Sequence, residues 1–418
     1  MFCQSCGQQV LDEYLYCFQC GTKLDTAIPS VRLLLSAENV TEKEAIEAYF
    51  YSGFSNRVIL LFLDKYHDMP MSMSTLKRRL CEYNLKRKKV DINLPAVEKL
   101  IRDEMDGPGG ICGYRAVWHM LRTKYGLFVP RQEVESLIRT IDPAGVEERK
   151  RHRLKRRKYE SPGPNYCWHV DGYDKLKPFG FPIHGAVDGY SRMVMWLKVD
   201  RTNNDPEITF FLDCVVEVGG CPSLLRTDCG TENVVIAGTQ CFLRADCDDE
   251  LAGEKSHRYG PSTGNQRIEA WWAHLRRSRL TWWINFFKDL VDRGIFLTGN
   301  VLHGECIWFC FAELIQHDLD FVKFHWNTHY IRRSRHETVP GKPEELYYLP
   351  ENFGASNHLH PVSPEKLDEA RLKCKATDFN NDFQEYSINH VLSLLNVSKP
   401  SNWKEALSLF SYLIRVAV

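Results

Sequence analysis

The chain lacks three features that would each indicate a particular class of protein. It contains no apolar run of about 18 residues, the length that a transmembrane helix needs. Its opening MFCQSCGQQV has no basic segment followed by an apolar one, so we expect no secretory signal. Its net charge is zero, because 54 Lys and Arg balance 54 Asp and Glu. Charge balance alone argues against a nucleic-acid partner.

Length and composition indicate a multi-domain intracellular protein. The chain has 418 residues, of which 44% are hydrophobic, so we expect about two to four domains and at least one sizeable core. It has 15 cysteines, but an odd and scattered set favours a reducing compartment over a disulfide framework. We therefore expect a soluble protein that is not secreted and that works in the nucleus or elsewhere inside the cell.

The basic residues are clustered along the chain, and this clustering favours a nucleic-acid partner despite the zero net charge. Residues 149–158, RKRHRLKRRK, carry eight Lys or Arg, and a second basic cluster covers residues 77–79 and 86–89. Such segments neutralise phosphates and release counterions. A solvated linker or a nuclear-localisation signal is the alternative for each short run. The candidate DNA contacts are Lys77, Arg78, Arg79, Arg151, Arg153, Lys155, Arg156 and Arg157.

Two Cys-x-x-Cys pairs lie within residues 1–24. Cys3 and Cys6 form the first, and Cys17 and Cys20 form the second, each followed by a glycine. A single pair could be a redox site, but two pairs in a segment too short for a hydrophobic core favour one tetrahedral Zn²⁺. This segment resembles the zinc ribbons found at the ends of many proteins, and its partner, DNA or protein, stays open.

Helical patterns fill the next part of the chain. Residues 36–90 and 91–146 each predict a group of short helices, with a basic helix near 72–84 capped by Ser72 or Ser74 and another helix starting at Pro130. We interpret both groups as helix-turn-helix units. A helical cluster without a DNA role is the alternative. Residues 147–160 form a basic linker.

Three acidic residues stand in local sequences suited to a metal site. Asp171 follows β-forming residues in WHVDGYDKL, and Asp228 follows the apolar run in SLLRTDCGTEN. Glu269, in GNQRIEAWW, lies in a helical pattern that places it on one face with Asn265 and Arg276. Three carboxylates supply the hard oxygen ligands that a pair of Mg²⁺ ions needs for phosphodiester chemistry.

These segments, together with HGAVDGYSRMVMWLKV, resemble the DDE-type transposases and integrases that have a retroviral-integrase-like, RNase H-like catalytic core. The resemblance covers about residues 161–290. It implies an α/β core with a mixed five-stranded sheet and flanking helices, in which Asp171, Asp228 and Glu269 are catalytic and bind Mg²⁺ or Mn²⁺. Within VDGYSR, Asp188 is the competing acid, and the resemblance gives it a structural role. The acidic insert at residues 246–250 is interpreted as a solvated loop.

The resemblance also implies an activity and partners. We expect DNA end processing and strand transfer on element ends and target DNA by a homo-oligomer, with Asn265 and Arg276 as candidates to hold the DNA end. The helical region resembles the helix-turn-helix segments ahead of the core in bacterial insertion-sequence transposases. Two alternatives stay open: a domesticated DNA-binding regulator without catalysis, and an RNase H-like nuclease. Residues 291–350 would extend the core, and residues 351–418 predict small helices instead of the terminal β-barrel of retroviral integrases.

Overall fold

The computed structural model describes residues 35, 40–87, 94–106, 112–143, 161–201, 206–230, 233–260, 265–333, 339–373 and 399–416. The predicted zinc ligands Cys3, Cys6, Cys17 and Cys20 lie outside these residues, as do Arg151, Arg153, Lys155, Arg156 and Arg157 of the basic linker. The chain divides into two compact units, which are described separately. The first comprises Met1–Lys158, Arg277–Arg279 and Phe324–Phe353, and the second comprises Tyr159–Arg276, Leu280–Lys323 and Gly354–Val418.

The first unit begins with three helices whose starts are capped by hydroxyl side chains. Helix α1 spans Glu42–Tyr51 and begins with a capping box of Thr41 and Glu44. Helices α2 (Asn56–His67) and α3 (Met73–Glu82) begin at Ser55 and Ser72, whose side chains accept from backbone N–H groups in the first turn. The predicted cap at Ser72 is thereby confirmed. The three helices enclose a core that includes Tyr49, Phe54 and Phe62.

The same unit contains a second group of helices around a buried ion cluster. Helices α4, α5 and α6 span Leu94–Met105, Tyr114–Thr123 and Arg131–Ile141. Glu104 of α4 is 8% exposed and accepts hydrogen bonds from Lys124, Tyr125 and Arg279. A buried carboxylate needs such partners to stay ionised. The predicted helices are confirmed, and their role as helix-turn-helix units stays a prediction.

The second unit contains a mixed five-stranded sheet in the order β3-β2-β1-β4-β5. Strands β1, β2 and β3 span Cys167–Tyr173, Ile183–Asp188 and Val194–Val199, and they form an antiparallel meander. Strands β4 (Leu224–Thr227) and β5 (His257–Tyr259) continue the sheet in parallel from β1. The predicted mixed sheet is confirmed.

Helices of the second unit connect and flank these strands. Helix α7 (Pro206–Val218) precedes β4 and ends before Gly219, whose φ of +80° suits only glycine. Helix α8 spans Asn233–Leu243, and α9 spans Gln266–Leu275 and packs on β1 and β2. Further α-helices among the described residues are α10 (Thr281–Asp292), α11 (Val301–Thr328), α12 (Pro343–Tyr348), α13 (Pro364–Lys373) and α14 (Trp403–Val416), of which α12 and the last five residues of α11 belong to the first unit.

Two further predictions can be compared with the structure. Residues 246–250 lie in a surface loop in which Asp246, Asp248, Asp249 and Glu250 are exposed, as expected. Small helices do occur after residue 351, at α13 and α14. The apolar segment INHVLSLLNV at residues 388–397, which predicts another helix, lies outside the described residues. Within the part of the chain that is described, no helix combines the length and apolarity required to cross a membrane.

Candidate metal-binding site of the core

Two of the three acids lie side by side at the ends of neighbouring strands. Strand β1 pairs in parallel with β4, with His169 opposite Arg226. Two residues further along each strand, the same register brings Asp171 beside Asp228, which directly follows β4. Adjacent strands are about 4.8 Å apart. The side chains of Asp171 and Asp228 therefore start from neighbouring backbone positions.

Helix α9 is fixed over β1 by hydrogen bonds at both of its ends. At its N-terminus, Asn265 accepts from the His169 ring at 2.6 Å and donates to the carbonyl of Val170 at 2.9 Å. One turn from the C-terminus, the indole N–H of Trp272 donates to Oδ2 of Asp171 at 2.8 Å. The helix can approach this closely because β2 carries Gly185 at that point, where a Cβ would lie 2.9 Å from Trp272 Cη2.

Glu269 lies between the two anchors of α9. It is four residues after Asn265 and three before Trp272, so all three share one helical face. Its side chain is exposed, whereas Asp171 and Asp228 are half-buried. The helix therefore presents Glu269 on the face that meets the strand ends carrying the two aspartates.

The electrostatics show that the three carboxylates influence one another. Burial raises the pKa of Asp171 to about 7, the Trp272 hydrogen bond opposes the rise, and the charges of Asp228 and Glu269 add to it. Burial and the charge of Asp228 likewise raise the pKa of Glu269. Converging negative charges of this kind are stabilised by a divalent cation.

The donor set fits Mg²⁺ or Mn²⁺. All three groups offer oxygen ligands, which these hard cations prefer. Within the described ranges, the one group of three His, Cys, Asp or Glu ligand atoms lying within 4.8 Å of one another is at Cys247, Asp249 and His360. The three core acids do not form such a group, so their binding of two ions about 3.5–4 Å apart stays a prediction.

Asp228 is oriented by its own loop. Its Oδ1 accepts hydrogen bonds from the Gly230 backbone N–H at 3.1 Å and from the side chain of Asn233 at 2.5 Å. Asn233 is buried and opens helix α8. The other oxygen of Asp228 has no hydrogen bond among the described residues, so it is free to bind a cation.

The competing acid Asp188 has a different environment. It is fully buried at the end of β2, where its two oxygens accept from the Asn165 backbone and from both the backbone and hydroxyl of Ser191, each at 2.7 Å. Ser191 lies in the β2–β3 connection, and Asn165 lies just before β1. This geometry gives Asp188 the structural role expected from the sequence.

The candidate DNA contacts differ in availability. Lys77 and Arg78 of α3 are exposed, whereas Arg79 pairs with Glu42 at 2.7 Å and with Glu82 at 2.9 Å. Arg276 is exposed just beyond α9. Asn265 is 1% exposed and engaged with β1, so its observed contacts orient α9, and contact with DNA stays a prediction.

Residue patterns gave no role to several side chains that shape this site. Trp272 lies three residues after Glu269, so helical periodicity places both on one face, but its hydrogen bond to Asp171 depends on the approach of α9 to β1. Asn233 follows Asp228 by five positions, and only the turn between them brings the two into contact. His169 is two residues before Asp171 in the same strand, and alternation places both on one side of the sheet.

Comparisons with known proteins agree with this architecture. A family model for the integrase core domain matches residues 158–349, and one for the zinc-ribbon domain matches residues 2–24. No curated protein matches the chain. Among solved structures, the chain is similar to that of the simian T-cell lymphotropic virus intasome in complex with the PP2A regulatory subunit B56 gamma. The sequence identity is 15%, the match covers 64% of this chain and 77% of that chain, and the TM-score is 0.28.

Residues 158–349 therefore carry an integrase core domain. A zinc ribbon precedes it at residues 2–24. The resemblance carried by the acidic motifs is confirmed for the core domain, and the one carried by the cysteine pairs is confirmed for the zinc ribbon.

Proposed function

We propose that this protein is a DDE-type DNA integrase or transposase that processes DNA ends and transfers them to target DNA. The observation that carries the proposal is the arrangement of Asp171 beside Asp228, under a helix that presents Glu269 to both. Such a set of carboxylates at the edge of an integrase core is suited to phosphodiester chemistry.

Each acid has a distinct part in the proposed site. Asp171, Asp228 and Glu269 would hold the divalent ions, with the two aspartates shared between them and Glu269 completing the ligand set. When bound, Mg²⁺ or Mn²⁺ activates the attacking oxygen and stabilises the leaving one. Water first attacks a phosphodiester bond at the DNA end, and the bond to the neighbouring 3′ oxygen breaks. The resulting 3′-OH then attacks a phosphodiester of the target in line, releasing a target 3′-OH.

DNA binding is assigned to parts of the chain other than the acids. The exposed Lys77 and Arg78, the basic linker at residues 149–158 and Arg276 supply positive charge for phosphates. Joining two DNA ends requires two active sites close together, so the functional form is a homo-oligomer. The zinc ribbon holds one Zn²⁺ through Cys3, Cys6, Cys17 and Cys20. The basic linker also directs the protein to the nucleus.

The experiment is a strand-transfer assay with labelled DNA duplexes that end in the repeats flanking the gene, in Mg²⁺ or Mn²⁺. The expected products are a shortened strand and a joined strand. Protein that binds the duplex but yields neither product would favour the domesticated regulator. Cleavage of branched or hybrid substrates without joining would favour the RNase H-like nuclease.

A further inference from the structure

A second cluster of possible metal ligands lies in the core unit, apart from the three acids. Cys247, Asp249 and His360 each direct one ligand atom so that all three atoms lie within 4.8 Å of one another. Cys247 and Asp249 belong to the loop at residues 244–253, and His360 comes from a segment more than a hundred positions later. We propose that these three side chains bind one Zn²⁺ that joins the loop to this later segment.

The ligand chemistry selects Zn²⁺ over the hard cations of the catalytic acids. A thiolate and an imidazole are ligands that Zn²⁺ prefers, whereas Mg²⁺ takes oxygen ligands almost alone. One thiolate and one carboxylate also neutralise the two charges of the ion. Water would complete a tetrahedron, since the protein supplies three ligands.

The distances require little movement. The Nδ1 atom of His360 lies 3.9 Å from Oδ2 of Asp249. Ligand atoms on opposite corners of a tetrahedral zinc site are roughly 3.3–3.8 Å apart, given bonds of about 2.0–2.3 Å. This pair would close by roughly 0.1–0.6 Å to reach bonding distance, and the two pairs that include the Cys247 thiol lie within 4.8 Å.

His360 is held in the orientation that a zinc ligand needs. Its Nε2 pairs with the Ser223 hydroxyl at 2.8 Å, which leaves Nδ1 for the ion. Metal-bound histidines usually use their second nitrogen in such a contact. The backbone of His360 is also fixed, because it exchanges two hydrogen bonds of 2.9 Å with Cys221. Gly220 permits this approach, since a Cβ there would lie 2.4 Å from the His360 carbonyl oxygen.

The loop that carries the other two ligands is folded around Arg244. The backbone carbonyl of Arg244 accepts from the N–H groups of Cys247 and Gly253. Its guanidinium is fully buried and donates to Asp249 Oδ2 at 2.5 Å. A carboxylate oxygen has two lone pairs, so Asp249 can accept from Arg244 and bind a cation together. The Arg244 contact holds the Asp249 carboxylate in place beside His360.

An ion pair between Arg244 and Asp249 without any metal is the competing explanation. It does not account for Cys247, whose thiol makes no hydrogen bond among the residues that the structure describes. One bound ion accounts for all three groups together, since a thiol, a carboxylate and an imidazole nitrogen converge from two segments that are distant in the sequence. Exposed Asp248 and Glu250 add negative charge to the loop, which offsets Arg244 and favours a cation, whereas the charge of Asp246 is paired with Lys366 at 2.6 Å.

The test measures zinc per chain in the full-length reduced protein after dialysis against metal-free buffer. Wild-type protein should hold two zinc ions, and His360→Gln should hold one. In a Cys3→Ser/Cys6→Ser background, which lacks the ribbon site, one zinc should remain. Cys247→Ser, Asp249→Asn or His360→Gln should each remove that remaining ion.

Matched controls separate a specific site from general damage. Cys241→Ser, Asp248→Asn and His358→Gln alter the same residue types nearby and should keep the ion. Replacement by Co²⁺ should give a thiolate charge-transfer absorption that Cys247→Ser abolishes and Cys241→Ser retains. Ser223→Ala should weaken zinc binding by about 10- to 100-fold, because it removes the group that orients His360.

Two results would overturn the proposal. The first is a ribbon-free background that binds neither Zn²⁺ nor Co²⁺ while its circular dichroism matches that of wild type. The second is equal zinc content in Cys247→Ser and Cys241→Ser, which would leave only the Arg244–Asp249 ion pair. Neither result depends on DNA joining, so the proposed integrase activity is tested separately.

Discussion

The indole N–H of Trp272 donates a hydrogen bond to Oδ2 of Asp171 at 2.8 Å. This contact connects helix α9, which carries Glu269, to strand β1, which carries Asp171. The charge of Asp228 is close enough to raise the pKa of the same carboxyl group. Because this hydrogen bond fixes both Asp171 and the helix that carries Glu269, the distance between these two acids depends on Trp272.

Trp272→Phe should therefore weaken catalysis more than it weakens the fold. The ring can still pack against Tyr173 and Gly185, but the hydrogen bond to the carboxylate is lost. Hydrogen bonds to charged groups contribute about 1.5–3 kcal/mol, which corresponds to a fall of roughly 10- to 100-fold in strand-transfer rate. The measurement is single-turnover joining across a Mg²⁺ series. Trp271→Phe, in the same helix, is the control and should leave the Mg²⁺ dependence unchanged.

Asp228 and Asp188 should respond oppositely to the same substitution. Asp228→Asn removes a metal ligand and should lower strand transfer by at least about a thousandfold, while DNA binding stays close to wild type. Asp188→Asn places donor hydrogens against the Asn165 and Ser191 donors and should destabilise the core by about 1–3 kcal/mol. Joining assays and denaturant unfolding distinguish the two. Wild-type joining by Asp228→Asn would disprove its catalytic assignment.

Neutralising the basic linker should weaken DNA binding regardless of sequence. Replacing Arg151, Arg153, Lys155, Arg156 and Arg157 with Gln should lower affinity and reduce the slope of log affinity against log salt by nearly one per lost phosphate contact. Fluorescence anisotropy across a salt series measures both. An unchanged slope would indicate that the segment serves only as a linker or nuclear-localisation signal.

Helix α3 offers a matched comparison for the second basic cluster. Lys77→Ala and Arg78→Ala remove exposed charges and should weaken DNA binding and reduce its salt slope. Arg79 pairs with Glu42 and Glu82, so Arg79→Ala should change the slope less. Fluorescence anisotropy across a salt series measures the affinity and the salt slope of each variant. Equal effects of all three substitutions would mean that these ion pairs open on DNA.

The buried cluster at Glu104 should make the helices α4 to α6 acid-sensitive. Burial by itself would raise the pKa of Glu104, but Lys124 and Arg279 outweigh it and hold the pKa at about 2. The unfolded value is about 4.3. The stabilisation is therefore present above about pH 4.3 and is lost as pH falls toward 2.

Glu104→Gln should cost about 3–5 kcal/mol at neutral pH, because it leaves Lys124 and Arg279 without their buried anion. Glu98→Gln, which breaks an exposed pair with Arg102 in the same helix, should cost less than about 1 kcal/mol. Amide hydrogen exchange in α4 to α6 measures the stability of these helices separately from that of the sheet-containing core. Equal protection in the two variants would show that the cluster contributes little.

The sequence by itself determined the kind of core and the three acids. Asp171 could be placed on a strand and Asp228 at a strand end because apolar runs and turn residues are local signals, and Glu269 could be placed on a helix face because side chains there repeat every 3.6 residues. A local pattern also gave Ser72 as one of two candidate caps, whereas the mixed five-stranded sheet was implied by the integrase resemblance. The integrase resemblance then gave the order of these pieces.

Only the tertiary structure decided how those pieces meet. The hydrogen bonds of Trp272 to Asp171, of Asn265 to His169 and of Asn233 to Asp228 join residues whose contacts depend on packing and turn geometry. The contact of Glu104 with Arg279, and the approach of Cys247 and Asp249 to His360, also join residues that are far apart in the sequence. Periodicity describes one element at a time, whereas these contacts depend on strand register, on the approach allowed by Gly185 and Gly220, and on the path of the chain between distant segments.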